Sequence, residues 1–145
     1  MKKILFALAL MIGTSTFAAD LPVNEKVAKM FSETFPQAEK VKWYEKDQAY
    51  EVLFENNGIT CRATYEADGS MTTLRRDYSG KDLPVYIKAK LKEKHPDKMV
   101  FGVTEMNSSD GVSYTITLEN DKNWVTVKAT DAGDMTVLQK LKKAS

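Results

Sequence analysis

Hydrophobic and polar positions change period once along the chain, and then the whole passage recurs. Val27, Met30, Phe31, Thr34 and Phe35 follow i, i+3, i+4, i+7, i+8 spacing, which predicts an amphipathic helix that Pro36 ends. Strict alternation then takes over. Tyr50/Val52/Phe54 and Ile59/Cys61/Ala63/Tyr65 put an apolar side chain at every second position, as a strand with one buried face requires. Asn57-Gly58 and Asp68-Gly69 are hairpin signals beside them. In the second half, Leu83, Ile87 and Leu91 form a narrower helical stripe among Lys88, Lys90, Lys92 and Lys94, before His95-Pro96. Alternation resumes at Tyr114/Ile116/Leu118 and Val125/Val127/Ala129, with Asp110-Gly111 as a turn signal.

The two halves align as an internal repeat. Phe35-Pro36 matches His95-Pro96, and Val41-Lys42-Trp43-Tyr44-Glu45 matches Phe101-Gly102-Val103-Thr104-Glu105, at an offset of 60. From Tyr50 the offset becomes 64, which assigns the second copy a longer turn at Asn107-Ser108-Ser109-Asp110-Gly111. Cys61 and Ala63 then match Val125 and Val127, Gly69 and Met71 match Gly133 and Met135, and Leu74 matches Leu138. Leu21-Pro22-Val23 and Leu83-Pro84-Val85 start the two copies. The pattern predicts an α+β fold: a tandem repeat of two helix-plus-four-stranded antiparallel meander units, residues 19–80 and 81–145. A unit of about 60 residues is marginal for an independent core. The units are therefore expected to dock, with both helices packed on one face of the sheet and the other face in solvent.

The N-terminus follows a different logic. Lys2 and Lys3 precede the unbroken apolar run from Ile4 to Ile12, and small residues follow, the pattern of a signal peptide over residues 1–18. Cleavage after Ala18 puts Thr16 and Ala18 at the small-residue positions, whereas cleavage after Ala19 puts bulky Phe17 at one of them. The apolar run is too short to cross a bilayer, no later stretch is long enough, and no Cys near the cleavage site offers a lipid anchor. The expected product is periplasmic or secreted.

Composition narrows the function classes. The full chain carries 21 basic and 20 acidic side chains, one Cys and one His. Losing Lys2 and Lys3 with the leader turns a formal charge of +1 into −1. Near-neutrality without a basic run argues against nucleic acid. A lone Cys excludes an intramolecular disulfide, and one His excludes a His-pair metal centre. Cys61 lies on the apolar parity and aligns with Val125, so it is expected in the core. His95 is expected to end a helix. Asp68, Asp110, Asp131 and Asp134 adjoin glycines but lack the alternating ligands and distal Glu of a calcium loop, so they are expected in turns. Glu45/Glu51 and Glu105/Glu119 are the only carboxylate pairs that suggest acid–base work, and nothing in their spacing fixes a separation. No cofactor motif is present.

The polar parity of the strands is more informative. Glu51, Leu53 and Glu55, then Thr60, Arg62, Thr64 and Glu66, then Thr115, Thr117 and Glu119, then Trp124, Thr126, Lys128 and Thr130 should share the open face. A Thr-rich face with Glu–Arg and Glu–Lys pairs is what a one-sided sheet needs. Leu53 and Trp124 break that pattern. With Arg62 and Lys128 they are the candidate protein-binding residues, because Trp and Arg are over-represented among binding hot spots. The plainer reading is that Trp124 shields a neighbouring strand or stacks on Lys128.

Several passages together resemble a known family. They are the leader, Phe35-Pro36 followed by Val41-Lys42-Trp43-Tyr44, Tyr65-x-x-Asp68-Gly69, Leu83-Pro84, Phe101-Gly102-Val103-Thr104-Glu105, and Lys122-Asn123-Trp124-x-Thr126-x-Lys128. The chain from Leu21 to Lys142 resembles the PepSY-like, beta-lactamase-inhibitor-like (BLIP-like) proteins exported by Bacteroidetes-type Gram-negative bacteria. The resemblance implies a tandem helix-plus-meander fold and supplies no catalytic motif; by analogy, PepSY domains bind or restrain proteases. The expected function is an exported, non-enzymatic binding module that engages a protein or peptide through the open face, as an inhibitor of an exported hydrolase. The alternative is an envelope-associated structural protein that self-associates through its sheet face or edge and has no separate ligand.

Overall fold

The computed structural model describes residues 22–144, so the expected leader and cleavage site lie outside the described residues. The elements run α1 (Glu25–Thr34), β1 (Glu39–Lys46), β2 (Ala49–Asn56), β3 (Ile59–Tyr65), β4 (Met71–Tyr78), a 3-10 turn (Gly80–Asp82), α2 (Val85–Lys94), β5 (Met99–Ser108), β6 (Gly111–Glu119), β7 (Asn123–Thr130) and β8 (Met135–Lys142). All eight strands form one antiparallel sheet in chain order, with β1 and β8 at its edges.

Local chemistry sets the helix ends. The Asn24 side chain accepts the Lys26 N–H at 2.9 Å, which satisfies one of the unpaired donors of α1. At the other end the Phe35 N–H bonds to the Phe31 carbonyl, and Pro36 prevents continuation. In α2, Lys92 and Lys94 occupy the last turn, where cations complement the helix dipole, and His95 caps it through its N–H to Leu91. The α2 lysines also moor the helix. Lys88 donates to the Lys81 carbonyl at 2.8 Å on one flank, and Lys90 donates to the Gly133 carbonyl at 3.1 Å on the other.

The stripe predicted for the second helix, Leu83, Ile87 and Leu91, is buried, but that of α1 is narrower than the periodicity predicts. In α1 only Val27 and Phe31 are buried, while Met30 is 43% exposed. Met30 packs instead on the β3–β4 turn, where its Cγ lies 3.1 Å from where a Cβ on Gly69 would stand. Every alternating position from Val52 to Tyr65, and from Tyr114 to Ala129, faces the helices as expected, with Tyr50 and Ile59 at the margin.

Two expectations about the repeat change. The four extra residues of the second half lengthen the strands, not the turn: Asn107 pairs with Val112 and Ser108 with Gly111, leaving a two-residue loop. Backbone pairing satisfies more peptide groups than a five-residue loop would. The match of Leu74 to Leu138 also fails in environment. Leu74 opposes Ala63 and packs on the core, but the register of β8 shifts by one residue between Thr126 and Val127, and Leu138 is 55% exposed in the bulge.

The core is double. Val27 and Phe31 of α1 cluster with Val52, Phe54, Cys61, Ala63 and Tyr65, while Ile87 and Leu91 of α2 cluster with residues of β5, β6 and β7. Between them, on β4 and β5, runs a polar seam. Glu105, only 8% exposed, accepts from Tyr78 Oη at 2.6 Å, Asn107 Nδ2 at 2.8 Å and Arg76 Nη1 at 3.2 Å. Burial opposes ionisation of Glu105, but these three donors outweigh it and hold the carboxyl below its ordinary range. Burial, then the bond to Glu105, pushes the Tyr78 phenol up. The seam is therefore charged, paired and internally satisfied.

Candidate functional site

The face away from the helices is built by rows of cross-strand neighbours. One row is Lys42, Leu53, Arg62, Arg75, Met106, Ser113 and Thr130 from β1 to β7. Leu53 and Arg62 are thus direct partners, and Arg62 reaches diagonally to Glu51 at 3.0 Å. Leu53 is half-buried, with Lys42 and Arg62 as its direct cross-strand partners.

Trp124 lies at another corner. It is on β7, five strands from Leu53 (about 24 Å across the sheet) and six residues along from Thr130, the β7 member of the Leu53 row, so the two lie about 30 Å apart at the usual strand spacings. Arg62 and Lys128 do not ring it. Lys128 sits four residues along β7, opposite Thr115 and Thr136, exposed and without an ion pair among the described residues. The cation over the indole is Lys143, whose Nζ is 4.3 Å from the ring centroid and 2.6 Å from Glu119 Oε2. Phe101 meets the ring edge-on at 4.9 Å. The structure therefore joins Leu53 with Arg62, and places Trp124 and Lys128 on one strand far from them.

Sequence reasoning missed most of this corner. The row Met99, Glu119, Trp124, Leu141 crosses β5 to β8, with Met99 73% and Leu141 51% exposed. Phe101, 61% exposed, joins it because the β5 register shifts between Val100 and Gly102. By alternation alone Phe101 shares the buried face of Val103; the bulge turns it to the open one. The equivalent row of the first half is Glu39, Glu55, Thr60 and Asp77. The match of Phe101 is Val41, 39% exposed in the equivalent β1 register shift, so only the second half carries aromatic and long apolar side chains across the whole row.

The remaining candidates resolve simply. Cys61 is buried at 3% exposure, and burial pushes its thiol up, away from a reactive thiolate. His95 is half-buried; burial, then Lys98 and Lys140, holds its imidazole below the ordinary value. Asp68 accepts from the backbone and hydroxyl of Ser70, ordinary turn chemistry. Glu45 and Glu51 point to opposite faces of the sheet, as do Glu105 and Glu119, so neither pair can flank a substrate together. Among the described residues no group of His, Cys, Asp or Glu could hold a metal ion, and no helix is long and apolar enough to cross a membrane. Two surface depressions among the described residues, about 480 Å³ at Met71–Leu74 with Asn107–Ser109 and about 510 Å³ at Pro36–Glu39 with Asn57 and Gly58, are open to solvent.

This architecture is that of the BLIP-like proteins. The chain is similar to a BLIP-like protein of Bacteroides fragilis at 16% identity and a TM-score of 0.62, covering 88% of this chain and 91% of that one. It is also similar to a Bacteroides eggerthii protein described as "putative periplasmic", at 18% identity and a TM-score of 0.59, over 81% and 87% of the two chains. A DUF2874 family protein of Bacteroides ovatus gives 19% identity and a TM-score of 0.59, over 81% and 86%. No protein-family model matches the chain, and no curated protein matches it. At these identities the likeness establishes the fold.

Proposed function

We propose that the protein is an exported, non-enzymatic binding module that holds a protein or peptide, such as an exported hydrolase it inhibits, against the open face of its sheet. In this reading residues 1–18 are a cleaved leader, residues 19–80 and 81–145 are the two repeat units, and the product works in the periplasm or outside the cell. The leader pattern and the likeness to a protein described as periplasmic support that location.

The observation that carries the reading is the apolar corner of Met99, Phe101, Trp124 and Leu141, set in a face that is otherwise Thr-rich and ion-paired. Its counterpart row in the first half is polar and Phe101 is matched there only by the smaller Val41, so folding alone does not call for the aromatic pair. Leu53 and Arg62 provide a second contact, and Lys128 an unpaired charge further along β7. An interface of about 800 Å² per partner is roughly 30 Å across, so the two contacts fall at opposite rims of one such interface. The corner supplies aromatic anchors and Arg62 a charged rim contact.

The test is comparative capture from periplasmic extract using wild type, Trp124→Ala with Phe101→Ala, and Arg62→Glu. A partner retained by wild type is expected to be lost by the aromatic variant, a loss of 2 kcal/mol or more corresponding to about thirtyfold in affinity. Arg62→Glu is expected to weaken it less. Equal recovery of every protein by all three would remove the open face as the site.

A further inference from the structure

The internal repeat carries information about the outer edge of β8. In the first half the equivalent strand, β4, is not an edge: β5 lies antiparallel on it through the pairs Arg75–Met106, Arg76–Glu105, Asp77–Thr104 and Tyr78–Val103. Through their shared partners on β3 and β7, these β4 positions correspond to Gln139, Lys140, Leu141 and Lys142 of β8. Through their shared partners on β2 and β6, the β5 positions correspond to Lys46, Glu45, Tyr44 and Trp43 of β1. The chain thus contains, at its centre, a worked example of how a β1-type strand docks on a β8-type strand.

We propose that the outer edge of β8 receives β1 of a second copy of this chain in the register of the β4–β5 junction. This goes beyond the open-face reading and stands independently of it. Glu45 of the second copy then faces Lys140, as Glu105 faces Arg76. Tyr44, 47% exposed, meets Leu141, 51% exposed, on the open face. Neither Glu45 nor Lys140 has an ion pair among the described residues, although both lie on the helix side of exposed edge strands. Long-range charge agrees: residues 22–80 carry 8 basic and 10 acidic side chains, and residues 81–144 carry 11 and 9. One half is therefore net −2 and the other net +2, and head-to-tail contact brings them together.

Two features that ordinarily protect edges do not oppose this register. Lysines on an edge deter pairing between like strands, but the incoming strand brings Glu45 to Lys140. The β1 register shift lies between Glu39 and Lys42, before the pairing residues. β5 has the same shift between Val100 and Gly102 and still pairs with β4 from Val103 onward. Each added copy leaves a free β1 at one end and a free β8 at the other, so the contact propagates as an open chain. The sheet faces stay uncovered, and the binding corners repeat along the assembly.

Sedimentation velocity of the mature chain from residue 19 at low salt, where edge charges are least screened, tests the proposal. Wild type is expected to show a concentration-dependent series of species. Glu45→Lys alone and Lys140→Glu alone should each weaken association about fivefold or more, since each puts like charges opposite one another. An equimolar mixture of the two variants restores every charge pair, as does the double variant, and both should recover the wild-type series. Both side chains are exposed, so unchanged far-UV circular dichroism separates lost association from lost fold. A wild type that stays monomeric to about 1 mM chain overturns the proposal. So do single variants that associate like wild type, or a charge reversal that restores nothing.

Discussion

Glu105 is the residue whose setting departs furthest from its polarity. It lies on the helix side of the sheet at 8% exposure, whereas Glu45, its match when the two halves of the sequence are aligned, is exposed. Burying a carboxylate costs several kcal/mol unless hydrogen bonds replace water, and Tyr78, Asn107 and Arg76 do so. The folded carboxyl therefore titrates below its unfolded value of about 4.3. The stability it contributes is complete above that value and is lost as pH falls through the folded one. Urea denaturation of wild type and Glu105→Gln should show a constant gap between pH 7 and about 5, narrowing below about pH 4. A gap that persists undiminished at pH 3 would mean that the charge itself contributes nothing.

At the level of elements, turns and bulges decide which side chain goes where. The β1–β2 hairpin closes through Asp47 and Gln48, both in the left-handed region at φ 52° and 67°, with no glycine in the pair. That turn left no signal of the Asn-Gly kind, whereas Asn57-Gly58 was legible and forms the β2–β3 turn. Glutamine in that region is strained, so Gln48→Gly should raise stability by about 0.5–1 kcal/mol, read as a higher midpoint at unchanged m. A lower midpoint would show that the Gln48 side chain makes a compensating contact. The bulges in β1, β5 and β8 were equally silent. Period-2 reasoning assumes unbroken alternation, and each register shift moves the following residues to the other face.

At the scale of the molecule, one sheet carries two cores. Val27 and Ile87 are fully buried in separate clusters divided by the charged seam, with no shared partners within either cluster. Val27→Ala should cost about 2 kcal/mol and Ile87→Val about 1 kcal/mol. Their double variant should be additive within about 0.5 kcal/mol. A coupling above 1 kcal/mol would show that the seam transmits packing between the halves.

The strand faces, both helices and the buried place of Cys61 were set by the sequence itself, because periodicity of 3.6 or 2 acts over neighbouring residues and needs no knowledge of the rest of the chain. Leu53 and Trp124 were placed on the open face for the same reason. Only the tertiary structure decided that they lie five strands apart, that Lys143 and not Lys128 covers the indole, and that Met99, Phe101 and Leu141 complete the corner. Those outcomes depend on strand order, cross-strand register and small register shifts within the strands. Each is settled by pairing energies summed between segments distant in the chain, which no local pattern records.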